Sequence, residues 1–135
     1  MSAEEARHFV IEEQVEIIHF PAGELRIEKK PGKSPVHKDA LIAQLDMAAI
    51  TFPLLLRKWK TGDYFYPLGM QKKKKISRFL IDQKLSLLQK QHIWVVESNK
   101  KIIWVVGYRI DDRFKIHDST ADILTLSLVP SGQKD

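Results

Sequence analysis

Residues 93–97 and 102–106 are apolar almost without interruption, and only Ser98, Asn99, Lys100 and Lys101 separate them. Two such runs joined by a four-residue polar turn predict a β-hairpin. Strands without polar alternation have no face to offer water, so both faces of this hairpin are expected to be buried. Any fold for this chain must cover the hairpin from both sides.

Most of the remaining pattern also has period two. Val15, Ile17 and His19 alternate with Glu16 and Ile18, Pro21-Ala22-Gly23 turns the chain, and Leu25 and Ile27 alternate with Arg26 and Glu28, which predicts a second hairpin. Residues 30–38 carry two prolines and a glycine and read as a loop. Residues 40–45 read as a strand, and so do 54–59, which Thr61, Gly62 and Asp63 interrupt. A turn of type II character falls near Tyr66, Pro67, Leu68 and Gly69. Ile76, Phe79 and Leu80 then stand at helical spacing, and Ser86 is placed to cap a second short helix reaching Gln91. At the end, Ile123, Thr125 and Ser127 share one strand face, and Leu124, Leu126 and Leu128 the other. The expected fold class is therefore α+β: a β-rich fold with a short helical pair inserted between strands, built on one core or as two small packed lobes.

The chain has 135 residues, enough for one domain, and no cysteine, which excludes disulfides, thiolate metal sites and thiol catalysis. No apolar run approaches the roughly 18 residues of a membrane span, the first residues lack the apolar core of a signal peptide, and a cytoplasmic protein is expected. Five scattered histidines show no metal-ligand spacing, and the glycine-rich and nucleophile-elbow motifs of common enzymes are missing.

Charge is the informative quantity. The chain carries a net +5, yet residues 57–78 alone hold eight Lys or Arg against the single acid Asp63. Lys72, Lys73, Lys74 and Lys75 are consecutive, and Arg78 lies one turn on. Four adjacent ammonium groups repel one another, which folding does not call for and a polyanion relieves by counterion release. A solvated loop is the plainer account of a charge run. Against it, cations at a helix start oppose the macrodipole, and a bound phosphate would reconcile the two. Tyr64, Phe65 and Tyr66 adjoin the run; alternation sends Phe65 inward and leaves the tyrosines for stacking. Trp94 and Trp104 read as core, and Trp59 as either core or surface. Asp111 and Asp112 could act as an acid–base pair, but they alternate with Arg109 and Arg113, so salt bridging is the favoured reading.

The run FPLLLRKWKTGDYFYPLGMQKKKKISRFLIDQKL, followed by IIWVVGYRIDDRFKI, resembles the C-terminal region of bacterial tRNA(Ile)-lysidine synthetases. The family pattern PL-x-x-R-x-W-x-x-G-D-x-F-x-P-x-G-M falls on Pro53, Leu54, Arg57, Trp59, Gly62, Asp63, Phe65, Pro67, Gly69 and Met70. Its Lys-rich helix start falls on Lys72 to Lys75 and its I-D-x-K segment on Ile81, Asp82 and Lys84. Its late strand falls on Ile102, Trp104, Val105, Gly107, Arg109, Ile110, Asp111, Arg113, Phe114 and Lys115. The match spans about residues 50–116.

The resemblance implies a parent ATP-dependent ligase that adenylates the wobble cytidine of the isoleucine tRNA with a CAU anticodon and joins lysine to it. ATP with magnesium would be held by an N-terminal catalytic domain bearing an S-G-G-x-D-S loop, which this chain lacks. The expectation is a C-terminal piece that holds no cofactor or metal of its own and is inactive alone. Residues 1–52 would be the β-rich middle part, and 53–135 the tRNA-binding domain, gripping tRNA chiefly at the acceptor stem. Its partners would be that tRNA and the catalytic domain, with a homodimer left open. The phosphate contacts expected are Arg57, Lys72, Lys73, Lys74, Lys75 and Arg78, followed by Arg109 and Arg113. Relatives often carry an arginine after the short helix, where this chain reads Leu88, Gln89, Lys90 and Gln91, so no contact by such a residue is carried over. Two other readings stay open: a stand-alone RNA-binding module, and a protein-interaction or dimerisation domain.

Overall fold

The structure is a computed structural model and describes residues 8–132. In chain order it runs β1 (Phe9–Ile11), β2 (Ile17–Phe20), β3 (Gly23–Pro31), β4 (Ile42–Asp46), a 3-10 turn at Met47–Ala49, β5 (Leu54–Lys58), β6 (Tyr64–Phe65) and β7 (Lys74–Lys75). Two short helices follow, α1 (Ile76–Asp82) and α2 (Leu87–Lys90). Then come β8 (Trp94–Ser98), β9 (Lys101–Val105), β10 (Arg109–Ile110), a 3-10 turn at Asp112–Phe114, and β11 (Asp122–Pro130).

The strands form a five-stranded sheet of order β1-β5-β8-β9-β10, a four-stranded sheet of order β2-β3-β11-β4, and the two-stranded ribbon β6-β7. All pairings are antiparallel. The β-rich α+β class read from the pattern is the class observed.

The central hairpin is buried on both faces, as its composition requires. Trp94, Val96, Ile103 and Trp104 point toward the four-stranded sheet and meet Phe20, Leu25, Ile27, Leu45, Leu124 and Leu126 in one core. Ile93, Val95, Ile102 and Val105 point the other way and are covered by Phe65 of the ribbon and by Ile76, Phe79 and Leu80 of α1. The result is three layers: sheet, sheet, and ribbon with helix. A register shift between Val96 and Glu97 lets neighbouring Ile103 and Trp104 serve the same core. Burying a side chain such as Phe79 contributes about 1.5–3 kcal/mol, which is how so short a helix is held.

The hairpin of β2 and β3 forms at the expected place. Its Gly23 has φ +144°, and a Cβ there would lie 2.1 Å from the carbonyl oxygen of Val129, so the close approach of β11 requires glycine. β3 runs on to Pro31 before the loop begins. Ser86 caps α2 by a reciprocal capping box with Gln89. The turn before the lysines is shifted by one residue from the sequence reading: Met70 N–H donates to Pro67 O at 2.8 Å, and Gly69 takes φ +89°. Two elements had not been expected. β1 pairs with β5, and Lys74–Lys75 is a strand paired with Tyr64–Phe65. Finally, β11 lies between β3 and β4, so the last strand completes a sheet begun in the first third of the chain.

Candidate nucleic-acid interface

The ribbon decides what each lysine of the run can do. Opposed residues of an antiparallel pair share a face. Lys74 opposes Phe65, which is fully buried, and Lys75 opposes Tyr64, which is exposed. Lys74 is accordingly half covered and ion-paired with Asp82. Lys75 and Lys72 point to solvent, and Lys73 sits 4.8 Å above the centroid of the Tyr64 ring. Among the described residues none of these three has a carboxylate partner within 4.0 Å. Arg78 is exposed on α1 and 3.7 Å from Asp82. Arg109 is exposed and lies over the edge of this layer, its guanidinium carbon 5.7 Å from the Phe79 ring centroid.

A phosphate at the helix start does not follow from the fold. α1 has seven residues, and the amide of Ile76 already donates to Asp63 O at 2.9 Å. Phe65 is inside and Tyr64 is exposed, as alternation predicted, but Tyr66 is half-buried beneath Arg113, which covers its ring. Trp59 proves to be partly buried packing, with its Nε1–H donated to Lys90 O at 2.7 Å. Trp94 and Trp104 are core.

Arg57 is engaged by the protein itself. Its Nη1 and Nη2 donate to the two oxygens of Asp63 at 2.8 and 3.0 Å, and its Nε donates to Glu97 at 2.8 Å. The side chain is 14% exposed. Burial by itself would lower its pKa, but the bonds to Asp63 and Glu97 outweigh that and raise it. Arg113 behaves similarly. Its Nε and Nη2 donate to the oxygens of Asp111 at 3.0 and 2.9 Å, and its plane lies 4.2 Å from the Tyr66 centroid. Asp111 raises its pKa. These two arginines read as phosphate contacts in the sequence; in the fold they fasten loops.

The paired aspartates are likewise structural. Asp111 is fully buried and accepts the amides of Tyr66 and Arg113 at 2.9 and 2.8 Å. Asp112 accepts the Gly69 amide at 3.0 Å, and its own amide donates to Tyr66 O at 2.6 Å. Together they clamp the turn that precedes the lysines, and the salt-bridge reading of Asp111 and Arg113 holds. The Gly69 amide, then Lys115, hold the Asp112 carboxyl below the usual carboxylate range.

The sequence reading missed Lys60, Lys100 and Lys101. They line one 210 Å³ cavity with Tyr64 and Gly62, beneath the tip of the β8–β9 hairpin. The signal was present in the polar turn Ser98, Asn99, Lys100 and Lys101, but nothing local ties that turn to residue 60, some 40 positions earlier. Among the described residues no cluster of three His, Asp or Glu side chains could hold a metal, and the sequence has no glycine-rich phosphate loop.

The fold and the surface define a class: a small β-rich domain that carries an exposed basic edge on a ribbon-and-helix layer. The TilS substrate C-terminal domain family matches residues 54–126, and the chain belongs to that family. It is 39% identical over 131 residues to the tRNA(Ile)-lysidine synthase of Parabacteroides distasonis, a match covering 96% of this chain and 30% of that protein. The enzyme of the same name from Bacteroides thetaiotaomicron is 44% identical over 73 residues, covering 54% of this chain and 17% of the relative. This chain thus spans less than a third of the length of these relatives. In structure it is similar to a chain described as "Crystal structure of TILS C-terminal domain", with TM-score 0.79, 19% identity, and coverage of 94% of this chain and 100% of that one. The fold is shared.

Proposed function

We propose that this domain is the tRNA-gripping part of a tRNA(Ile)-lysidine synthase. The observation that carries the reading is the basic edge, where Lys72, Lys73, Lys75 and Arg109 are exposed without a carboxylate partner among the described residues, and Arg78 is exposed beside them. Supporting it, the relatives similar to this chain bear the name tRNA(Ile)-lysidine synthase. The partner is the isoleucine tRNA with a CAU anticodon, met at its acceptor stem by phosphate and shape contacts, since an A-form helix hides its base edges in a narrow major groove. Lys74, Arg57 and Arg113 act indirectly, by holding the ribbon and turn that display the others.

On this reading ATP, magnesium and the ligation of lysine to the wobble cytidine belong to a catalytic domain outside this chain. The contribution of this part is to fix the tRNA so that its anticodon reaches that site. Its setting is the cytoplasm; no helix of the described residues is long and apolar enough to cross a membrane. A protein contact is a second role that one observation favours: Leu87 and Leu88 on α2 are 74% and 66% exposed, suited to the catalytic domain or to a second copy.

The test is tRNA affinity of the 135-residue chain at several salt concentrations, with isoleucine tRNA and an unrelated elongator tRNA. Strongly salt-dependent binding to both, with less than about a hundredfold preference, is expected of phosphate contacts. Absence of binding would defeat the reading. Incubation with ATP, lysine and the cognate tRNA is expected to yield no lysidine.

A further inference from the structure

The cavity at the hairpin tip lies outside the basic edge just described. Its walls come from the turn after β5 and from the β8–β9 turn, and Tyr64 joins it to Lys73 on the ribbon. Two carboxylates, Asp63 and Glu97, also line it, but both are bonded to Arg57. That triad sums to one negative charge. Lys60, Lys100 and Lys101 exceed it, and none of their ammonium groups has a carboxylate within 4.0 Å among the described residues. The volume of 210 Å³ falls below the roughly 300 Å³ of pockets that enclose an organic ligand, which suits a compact anion.

The hairpin tip adds an independent observation. Asn99 and Lys100 have φ of +50° and +67°, the two left-handed positions of a two-residue hairpin turn. Glycine is the residue that adopts the second position without steric cost, and this chain places a lysine there. A lysine held there is strained relative to glycine, as Lys84 at φ +59° also is.

We propose that this groove is a phosphate-binding site for one phosphodiester of the bound RNA, with Lys60, Lys100 and Lys101 supplying the donors and Tyr64 the wall that leads the strand on to Lys73. The site rests on the RNA-binding reading above and extends it to a second surface. Charge-assisted hydrogen bonds from the three ammonium groups neutralise the phosphate and the one negative charge that Arg57 leaves on the two wall carboxylates.

The experiment compares four variants of the 135-residue chain in tRNA titrations across salt: K60Q/K100Q/K101Q, K72Q/K73Q/K75Q/R78Q, the control K30Q/K33Q/K38Q, and K100G. The groove variant is expected to flatten the slope of log affinity against log salt by about 0.7–0.9, the contribution of the one phosphate the site holds. The control, with the same change in net charge, should leave the slope near wild type. K100G should lose part of that slope while its thermal midpoint rises, a combination that a lysine serving only the turn would not produce. If the groove variant keeps the wild-type slope while the ribbon variant loses its own, the site is overturned and the broader reading stands. A control as strong as the groove variant, or a K100G chain that is stabilised with an unchanged slope, also overturns the site. If wild type shows no salt-dependent tRNA binding, the broader reading falls first.

Discussion

Arg57 grips Asp63 through two hydrogen bonds of 2.8 and 3.0 Å, and so ties β5 to the turn that starts the β6–β7 ribbon. Asp63 also accepts the Lys60 amide at 2.8 Å and gives its carbonyl to the amide of Ile76 at 2.9 Å. One ion pair thus sets the turn and the start of α1 together.

Arg57→Gln is therefore expected to unfold the chain more easily without touching the RNA. It leaves Asp63 and Glu97 covered and unpaired, which costs about 2–4 kcal/mol. Denaturant midpoints and tRNA salt slopes on the same preparation separate the two effects. A stable variant with a flattened slope would return Arg57 to the interface.

The ribbon cations should behave in the opposite way. Replacing Lys72, Lys73, Lys75 and Arg78 with Gln should flatten the salt slope by about 2–3, fewer than four full contacts because neighbouring lysines cannot all reach separate phosphates. Stability should change by less than about 0.5 kcal/mol, since exposed charges contribute little and their mutual repulsion is relieved. Lys74→Gln alone should leave the slope nearly intact, because Lys74 is paired with Asp82. An unchanged slope in the fourfold variant, with a normal melt, would move the RNA surface away from the ribbon.

Asp111→Asn tests the clamp on the turn. The fully buried carboxylate accepts two amides and both arms of Arg113, and an amide side chain cannot accept at both positions. A loss of about 2–4 kcal/mol is expected. The loss should shrink when Arg113 is replaced as well, which a double-mutant cycle measures. Additive effects would mean that the two residues do not depend on each other.

Acid should weaken the same layer. Lys74, then Arg78, lower the pKa of Asp82, and the Gly69 amide, then Lys115, lower that of Asp112. A folded-state pKa below the unfolded value of about 3.9 gives stability that is present above that pH and lost as pH falls through the depressed value. The variant D82N/D112N should therefore lose less stability than wild type between about pH 5 and pH 2. Parallel denaturation curves at a series of pH values decide it; identical pH dependence would exclude both carboxyls as the source.

Local pattern determined much of this protein. The apolar runs about the 98–101 turn, the 76, 79, 80 spacing and the Ser86 cap each dictate an element from neighbouring residues, because β pleat, helix pitch and capping are short-range geometry. The clustering of positive charge in residues 57–78 was equally plain in the sequence. What local pattern could not supply was partnership across the chain. Arg57 and Lys74 look like the free cations Lys72, Lys73 and Lys75 in sequence. Only the fold brings Glu97 and Asp82 against the first two and leaves the other three to solvent. Likewise only β-pairing sets Lys74 beside a buried Phe65 and Lys75 beside an exposed Tyr64, and only sheet closure brings Lys60 to Lys100 and β11 between β3 and β4. Periodicity tells a residue which way to face; which charge it faces depends on how turns and strands are folded against one another, from the eight residues between Lys74 and Asp82 to the 40 between Arg57 and Glu97.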